Sequence, residues 1–445
     1  MSAAGGNRPI VIEADGDGDK PAIVPEYRRL RTADEYTALV RVTWYSFNST
    51  DGKYPPITAE PWPGLEHYWG AFLGTTLVAG VEVFPVSILL AKIPTKCAFI
   101  HTVVSSPGTR GQGHARRLMS VVLNAYRHTH PLSTLFPFKY GFYARMGYTA
   151  IDDHQVIVFK PEDVNLPRGD PRTHTLTEVY DNDKKIAIGR IAYRSWRENL
   201  QVCLERSSPN IWKELSEGNL FYQVVNDESG HVDGYMIFQL AHTRDKMASF
   251  SKAVHASLSD ADFVPGVMVI YEAVWLTSQA KRSIYKFIAS HRDQVAGVVW
   301  YLNSDAQPRQ FLKNHDAIAQ CVSPGIMGRI LDVGTILHRL AVVAGTTSLR
   351  DGSLWIEVTE NPLMEDTPIH YMVTCKSGQL TATSSRPIPG GLTVSLDIGQ
   401  LTSLALGYRA IDRLGDDLAA SIPARAMDLF RVLFPKRPSS FPERV

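Results

Sequence analysis

Six consecutive residues, Arg110-Gly111-Gln112-Gly113-His114-Ala115, combine side chains and backbone suited to holding an anion without a metal. Two glycines one residue apart let the backbone approach a ligand with no Cβ in the way. Arg110 adds a permanent cation whose planar donor fork matches phosphate oxygens. A helix beginning at this point would strengthen the grip, because the first N–H groups of a helix have no internal acceptor and carry about half a positive charge. Phosphate, or a pyrophosphate, is the natural guest. Glycine-bearing turns are common, so the flanking elements have to decide.

Before the glycines, Cys97 to Ser106 is β-branched and apolar enough for a buried strand. After them, Ala115, Leu118, Met119, Val122, Leu123 and Tyr126 recur at the spacing of one apolar helix stripe, with Arg116, Arg117 and Asn124 off that face. The order is strand, glycine loop, helix. The dinucleotide fingerprint GxGxxG fails, because the run reads GQGHAR. A nucleoside-triphosphate loop fails as well, since no Lys and hydroxyl follow the glycines.

The whole chain bounds what this loop can serve. Its 445 residues suggest two to four domains, and 46 Lys plus Arg against 45 Asp plus Glu leave no overall field to attract nucleic acid. Cys97, Cys203, Cys321 and Cys375 are scattered without a CxxC pair, which argues against metal knuckles and disulfide frameworks and for a reducing, cytoplasmic setting. No apolar run has the length of a membrane span. His128 and His130 read as surface histidines rather than a metal site. We expect no metal and no nucleic-acid partner.

Composition divides the chain into an expected disordered leader at 1–24, a first folded domain at 25–162, a second at 173–320 and a third at 324–445. In the leader, Asp15, Asp17 and Asp19 have the spacing of a calcium loop, but Lys20 and Pro21 break it, so they read as a solvated acidic tail. Val295 to Leu302 reads as a strand. Asp417 to Leu433 reads as a closing helix, interrupted or restarted at Pro423.

The run R/QxxGxG/A, here Arg110 to Ala115, resembles motif A of the GNAT acetyltransferases, whose loop cradles the coenzyme A pyrophosphate. Leu135 to Ala150, LFPFKYGFYARMGYTA, is similar to the (I/F)YxRFGYG element of the enhanced-intracellular-survival (Eis) acetyltransferases, with Met146 in place of the usual Phe. Ile191 to Asn199, Arg206, Trp212 and Gly325 to Leu337 extend the resemblance past the leader. It implies a mixed α+β fold: two tandem GNAT-like mixed-sheet domains, the second without a cofactor loop, then a sterol-carrier-like α+β domain.

The resemblance also implies roles. Acetyl-CoA is the co-substrate and an amine, on a small molecule or a peptide, is the acceptor. Tyr143 is the proton donor to the leaving thiolate, and the α-carboxylate of Val445 is the base. Val103, Val104 and Ser105 pair with the pantetheine arm, and Arg110, Gly111, Gln112, Gly113, His114, Ala115 and Arg116 form the phosphate loop. Phe138 and Lys139 touch the cofactor again. Trp44, Tyr45 and Phe47 are either core or acceptor pocket. The family's hexamers imply a homo-oligomer. A competing class is a non-catalytic carrier that binds a lipid or small ligand in its C-terminal domain.

Overall fold

The computed structural model describes residues 24–47, 64–166, 174–206, 220–241, 266–303, 306–345, 347–359, 361–363, 369–413 and 424–440. Residues 1–23 of the leader, Trp212 and Val445 lie outside these residues. The described chain divides into two compact units, one built from the residues up to Gly80 with Val104–Leu118, the other from Val81–Val103 with Met119 onward.

In the first unit, strand β1 (Glu26–Arg29) pairs antiparallel with β2 (Tyr68–Leu73), Glu26 opposite Phe72 and Arg29 opposite Trp69. Helix α1 (Ala33–Ser46) lies between them in sequence. It starts where it does because the Thr32 hydroxyl accepts from the Glu35 N–H at 3.2 Å, satisfying one of the orphan donors of the first turn. Strand β3 (Thr76–Leu90) and helix α2 (His114–Tyr126) start in the first unit and end in the second, while strand β4 (Ile93–Ser105) starts in the second and ends in the first. Leu30, Leu39, Tyr68, Phe72, Leu77 and Val104 form the core of the first unit. Gly80 is small because a Cβ there would run into Leu39.

In the second unit, Ala91 and Lys92, at φ 47° and 73°, make the two-residue turn from β3 to β4. Such left-handed pairs match the twist of the strands they join. Strand β5 (Leu132–Leu135) runs parallel to β4, from Cys97 opposite Leu132 to Ile100 opposite Leu135. After helix α3 (Tyr140–Ala144), strand β6 (Thr149–Ala150) closes this part of the chain.

A second sheet starts with β7 (Asp153–Phe159) and continues with β8 (Thr175–Glu178), helix α4 (Asn182–Trp196) and the short strand β9 (Val202–Leu204), which belongs to the other sheet by pairing with β3. Strands β10 (Phe221–Asn226), β11 (Val232–Ala241) and β12 (Gly266–Trp275), helix α5 (Ser278–Ser290), β13 (Val295–Asn303) and β14 (Ala319–Pro324) complete it. The strand order is β14-β7-β13-β12-β11-β10-β8, antiparallel except between β12 and β13. Arg206, 3% exposed, pairs with Glu272 of β12 and lies 4.2 Å over the Tyr193 ring.

Strand β15 (Met327–Ile330) returns to the first sheet and lies between β5 and β6, antiparallel to both. Helix α6 (Val333–Ala344) leads to a four-stranded sheet of β16 (Gly352–Val358), β17 (His370–Lys376), β18 (Gln379–Ser384) and β19 (Thr393–Leu396). Helices α7 (Ile398–Ala405) and α8 (Ala424–Leu433) and the strand β20 (Ser439–Ser440), paired with β9, end the described chain. One hydrophobic core joins Ile88, Phe99 and Leu132 to Ile330, Leu337, Leu354, Leu401 and Phe430. Burying so many such side chains at about 25 cal/mol per Å² outweighs any single polar contact in fixing β15 and the last sheet.

The architecture is therefore mixed α+β with mixed sheets. Strand exchange, with β7 in the second sheet and β15 in the first, sets which segments fold together. Composition marks polar linkers and carries no trace of such pairings.

Candidate active site

The loop between β4 and α2 has the geometry that anion binding needs. Pro107–Thr109 makes one tight turn, anchored where the Ser106 N–H donates to the Val78 carbonyl at 2.9 Å. Gly111 and Gly113 both sit at φ 83°, and nothing lies within 4 Å of the place a Cβ would take at either. The left-handed backbone, rather than crowding, requires glycine here. The Arg117 N–H donates to Gly113 O at 3.0 Å and closes the first turn of α2. The first N–H groups of a helix have no acceptor within it, and no acidic residue in the first turn of α2 neutralises them.

His114, the first residue of α2, is held by two side-chain contacts. It is 7% exposed, its Nδ1 lies 3.1 Å from the Tyr27 hydroxyl and its Nε2 lies 3.3 Å from Gln112 Oε1. Arg110 is exposed, 5.8 Å over the Tyr45 ring, while Arg116 also faces solvent and Ala115 is half-buried. No sequence motif marks Tyr27 as a partner of this loop. The stripe of α2 is as expected: Leu118, Met119, Val122 and Leu123 are fully buried.

Strand β4 outruns its parallel partner. Among the described pairings, contact with β5 ends at Ile100, and β4 continues to Ser105. Val103 and Val104 are buried and Ser105 half-buried. Past the end of β5 come Phe138 and Lys139, both exposed, and then α3.

Tyr143 lies on α3 and is 2% exposed. Its ring packs edge-on against Phe142, Phe138 and Tyr148 at 5.0, 5.7 and 6.1 Å. Burial pushes its phenol above the ordinary range, so the hydroxyl keeps its proton at neutral pH. Tyr148, buried beside it, shares a 2.7 Å hydrogen bond with Ser133, which donates to Ala98 O of β4. The turn after α3 is held by Arg329 of β15, fully buried, which donates to the Met146 carbonyl and, at 2.7 and 2.6 Å, to Asn361 Oδ1 and Pro362 O. The sequence signal for Arg329 is a lone Arg in the apolar run Ile326 to Leu331.

Among the expected site residues, Val104, Ser105 and Arg110 to Arg116 belong to the first unit, and Val103, Phe138, Lys139 and Tyr143 to the second. Val445 is outside the described residues. No cluster of His, Cys, Asp or Glu among the described residues could hold a metal ion. No described helix is long and apolar enough to cross a membrane.

Residues 26–151 match one acetyltransferase (GNAT) domain family, and residues 194–330 match a second one of the same description. The chain carries two GNAT acetyltransferase domains and is an acyltransferase. No curated protein matches this GNAT chain in sequence. Its fold is shared with a GCN5-related N-acetyltransferase from Anabaena variabilis, 19% identical over 94% of this chain and 99% of that one, with a TM-score of 0.74. A probable N-acyltransferase from Enterococcus faecalis is 18% identical over 95% and 100%, at 0.73. Eis1 from Mycobacterium abscessus is 17% identical over 94% and 97%, at 0.67.

In the second GNAT region helix α5 starts on a side-chain cap. Thr277 caps α5 by accepting from the Ala280 N–H at 3.1 Å, and its own hydroxyl donates to Asp233. The Asp233 carboxylate, also 2.6 Å from His174 Nε2, supplies the negative charge that a ligand phosphate would otherwise bring.

Proposed function

We propose that this protein moves an acetyl group from acetyl-CoA to a primary amine by direct attack. The observation supporting this reading is the pair Gly111 and Gly113, left-handed and open at the start of a helix with no acidic residue in its first turn, inside a GNAT domain. In the proposed complex, N–H groups of residues 111–116 and the Arg110 guanidinium bind the diphosphate. Backbone donors of Val103, Val104 and Ser105 polarise the thioester carbonyl, and Phe138 and Lys139 contact the cofactor further along.

A free amine then attacks the thioester carbon, forming a C–N bond and a tetrahedral adduct. As the adduct collapses the C–S bond breaks, and the departing sulfur takes a proton from the Tyr143 hydroxyl. The ammonium proton of the adduct passes to a base, proposed as the Val445 α-carboxylate, and from there restores Tyr143. The raised pKa of Tyr143 makes tyrosinate a short-lived species, which favours that return. The products are the N-acetyl amine and free coenzyme A.

The proposed domain plan is GNAT at 25–162, GNAT-like without a cofactor loop at 173–320, and sterol-carrier-like at 324–445, in a homo-oligomer. The test is release of free thiol from acetyl-CoA across a panel of primary amines, with wild-type protein and Tyr143→Phe. At least one amine releases thiol, and Tyr143→Phe lowers kcat by about 100-fold, within the usual reach of a general acid, with KM for acetyl-CoA unchanged. Absence of amine-dependent thiol release, or full activity in Tyr143→Phe, contradicts the mechanism.

A further inference from the structure

A cavity of about 590 Å³ in the second unit has no part in the acetyl-transfer scheme. It opens between the segment Ile151–Asp153 and the stretches that follow α7 and α8. Four cations, Arg409, Arg413, Lys436 and Arg437, line it, and all four are exposed. Among the described residues none of them pairs with a carboxylate. The ion pairs next to the cavity use Arg431 instead, with Asp412 at 2.9 Å and Asp428 at 3.2 Å. Lys436 is spent on a neutral acceptor, the Tyr408 carbonyl at 3.2 Å.

Like charges gathered in one concave wall repel and raise the local positive potential. A bound dianion would relieve that, and Arg side chains offer phosphate two parallel donors. The same wall carries two acceptors. Asp152 is 3% exposed, and Asp153 accepts from the Tyr408 hydroxyl at 2.8 Å, which orients its carboxylate. Carboxylates in a phosphate site serve the ligand's hydroxyl groups, and they also repel a polyanion. The chain's overall charge of +1 supplies no wider field for a nucleic-acid strand or an anionic membrane. The cavity's size falls within the range of about 300–1,000 Å³ usual for small-molecule sites.

We infer that this cavity binds a small hydroxyl-bearing phosphate ester, with Arg409, Arg413 and Arg437 on the phosphate and Asp152 and Asp153 on the hydroxyls. This inference stands on residues outside the proposed acetyl-CoA loop. Its test keeps the two apart: ribose 5-phosphate is titrated calorimetrically into full-length protein with coenzyme A present at saturation, alongside ribose and inorganic phosphate. One equivalent of ribose 5-phosphate binds, ribose at least tenfold more weakly. Arg409→Gln/Arg437→Gln, and separately Lys436→Gln/Arg413→Gln, weaken ribose 5-phosphate at least tenfold, while Arg110→Ala leaves it unchanged. No binding, equal binding of ribose, or affinity unaffected by both double variants overturns the proposal. Preference for inorganic phosphate over the sugar ester removes the role of the two aspartates and overturns it too.

Discussion

The guanidinium of Arg329 donates to the backbone carbonyl of Met146, 183 residues away in sequence and three residues beyond Tyr143. The Met146 N–H in turn donates to the Tyr143 carbonyl at 2.8 Å. A buried cation from β15 thus clamps the turn that follows the proposed proton donor. It does so with carbonyl and amide oxygens only, and burial pushes its pKa down to about 10.

Arg329→Ala removes the guanidinium from the buried Met146 carbonyl and from the partly buried Asn361 Oδ1 and Pro362 O. The expected loss of stability is about 2–4 kcal/mol, measured by denaturant unfolding. Arg329→Lys keeps the charge and loses the planar fork, so it recovers only part of that loss. Equal stability of wild type and Arg329→Ala contradicts the clamp.

Gly147 sits at φ 81°, and a Cβ there would meet the Arg329 guanidinium and Ile398. Gly147→Ala combines left-handed strain with overpacking, for an expected cost of about 2–5 kcal/mol in the same unfolding experiment. A loss under about 0.5 kcal/mol means the turn is not held as described.

Gly113 differs from Gly147 in having open space around it. Gly113→Ala therefore costs only the left-handed conformation, about 1–2 kcal/mol. Acetyl-CoA binding, read by calorimetry, is expected to weaken by about tenfold as the loop relaxes away from φ 83°. Unaltered affinity argues that the loop backbone does not touch the ligand.

Glu35 takes the Arg28 guanidinium through two hydrogen bonds of 2.7 and 2.9 Å, which hold its carboxyl below the ordinary range. Because the folded-state pKa is the lower one, the pair stabilises fully above the unfolded value of about 4.3 and its contribution fades as pH falls through the folded value. Glu35→Gln should cost about 1 kcal/mol at neutral pH. The gap between variant and wild type should close on acidification, and a gap that widens contradicts the sign.

The strand, glycine loop and helix from Cys97 to Tyr126 were legible because every signal there is local. A β-branched run, two glycines and a stripe at 3.6-residue spacing predict β4, the loop and α2, and the structure has them. Val295–Asn303 is a strand within one residue of its expected end, and Ala424–Leu433 of the expected closing helix is helical, Asp417 to Pro423 lying outside the described residues. What the reading could not reach is non-local. β15 enters the first sheet between β5 and β6, Arg329 reaches Met146, and four cations from two separate stretches line one cavity. Each depends on partners far apart in sequence, which no periodicity records. Tyr27 on His114 belongs to the same class.

The central claim is that amides at the start of α2 and the Arg110 guanidinium hold the diphosphate of a thioester donor. Calorimetric titration of the full-length protein with acetyl-CoA and with S-acetylpantetheine, which lacks the diphosphate, tests it most directly. The account predicts that acetyl-CoA binds at least about 100-fold more tightly, a difference of about 2.7 kcal/mol, and that Arg110→Ala removes much of that advantage. Equal affinity for the two ligands, in wild type and Arg110→Ala alike, would contradict it.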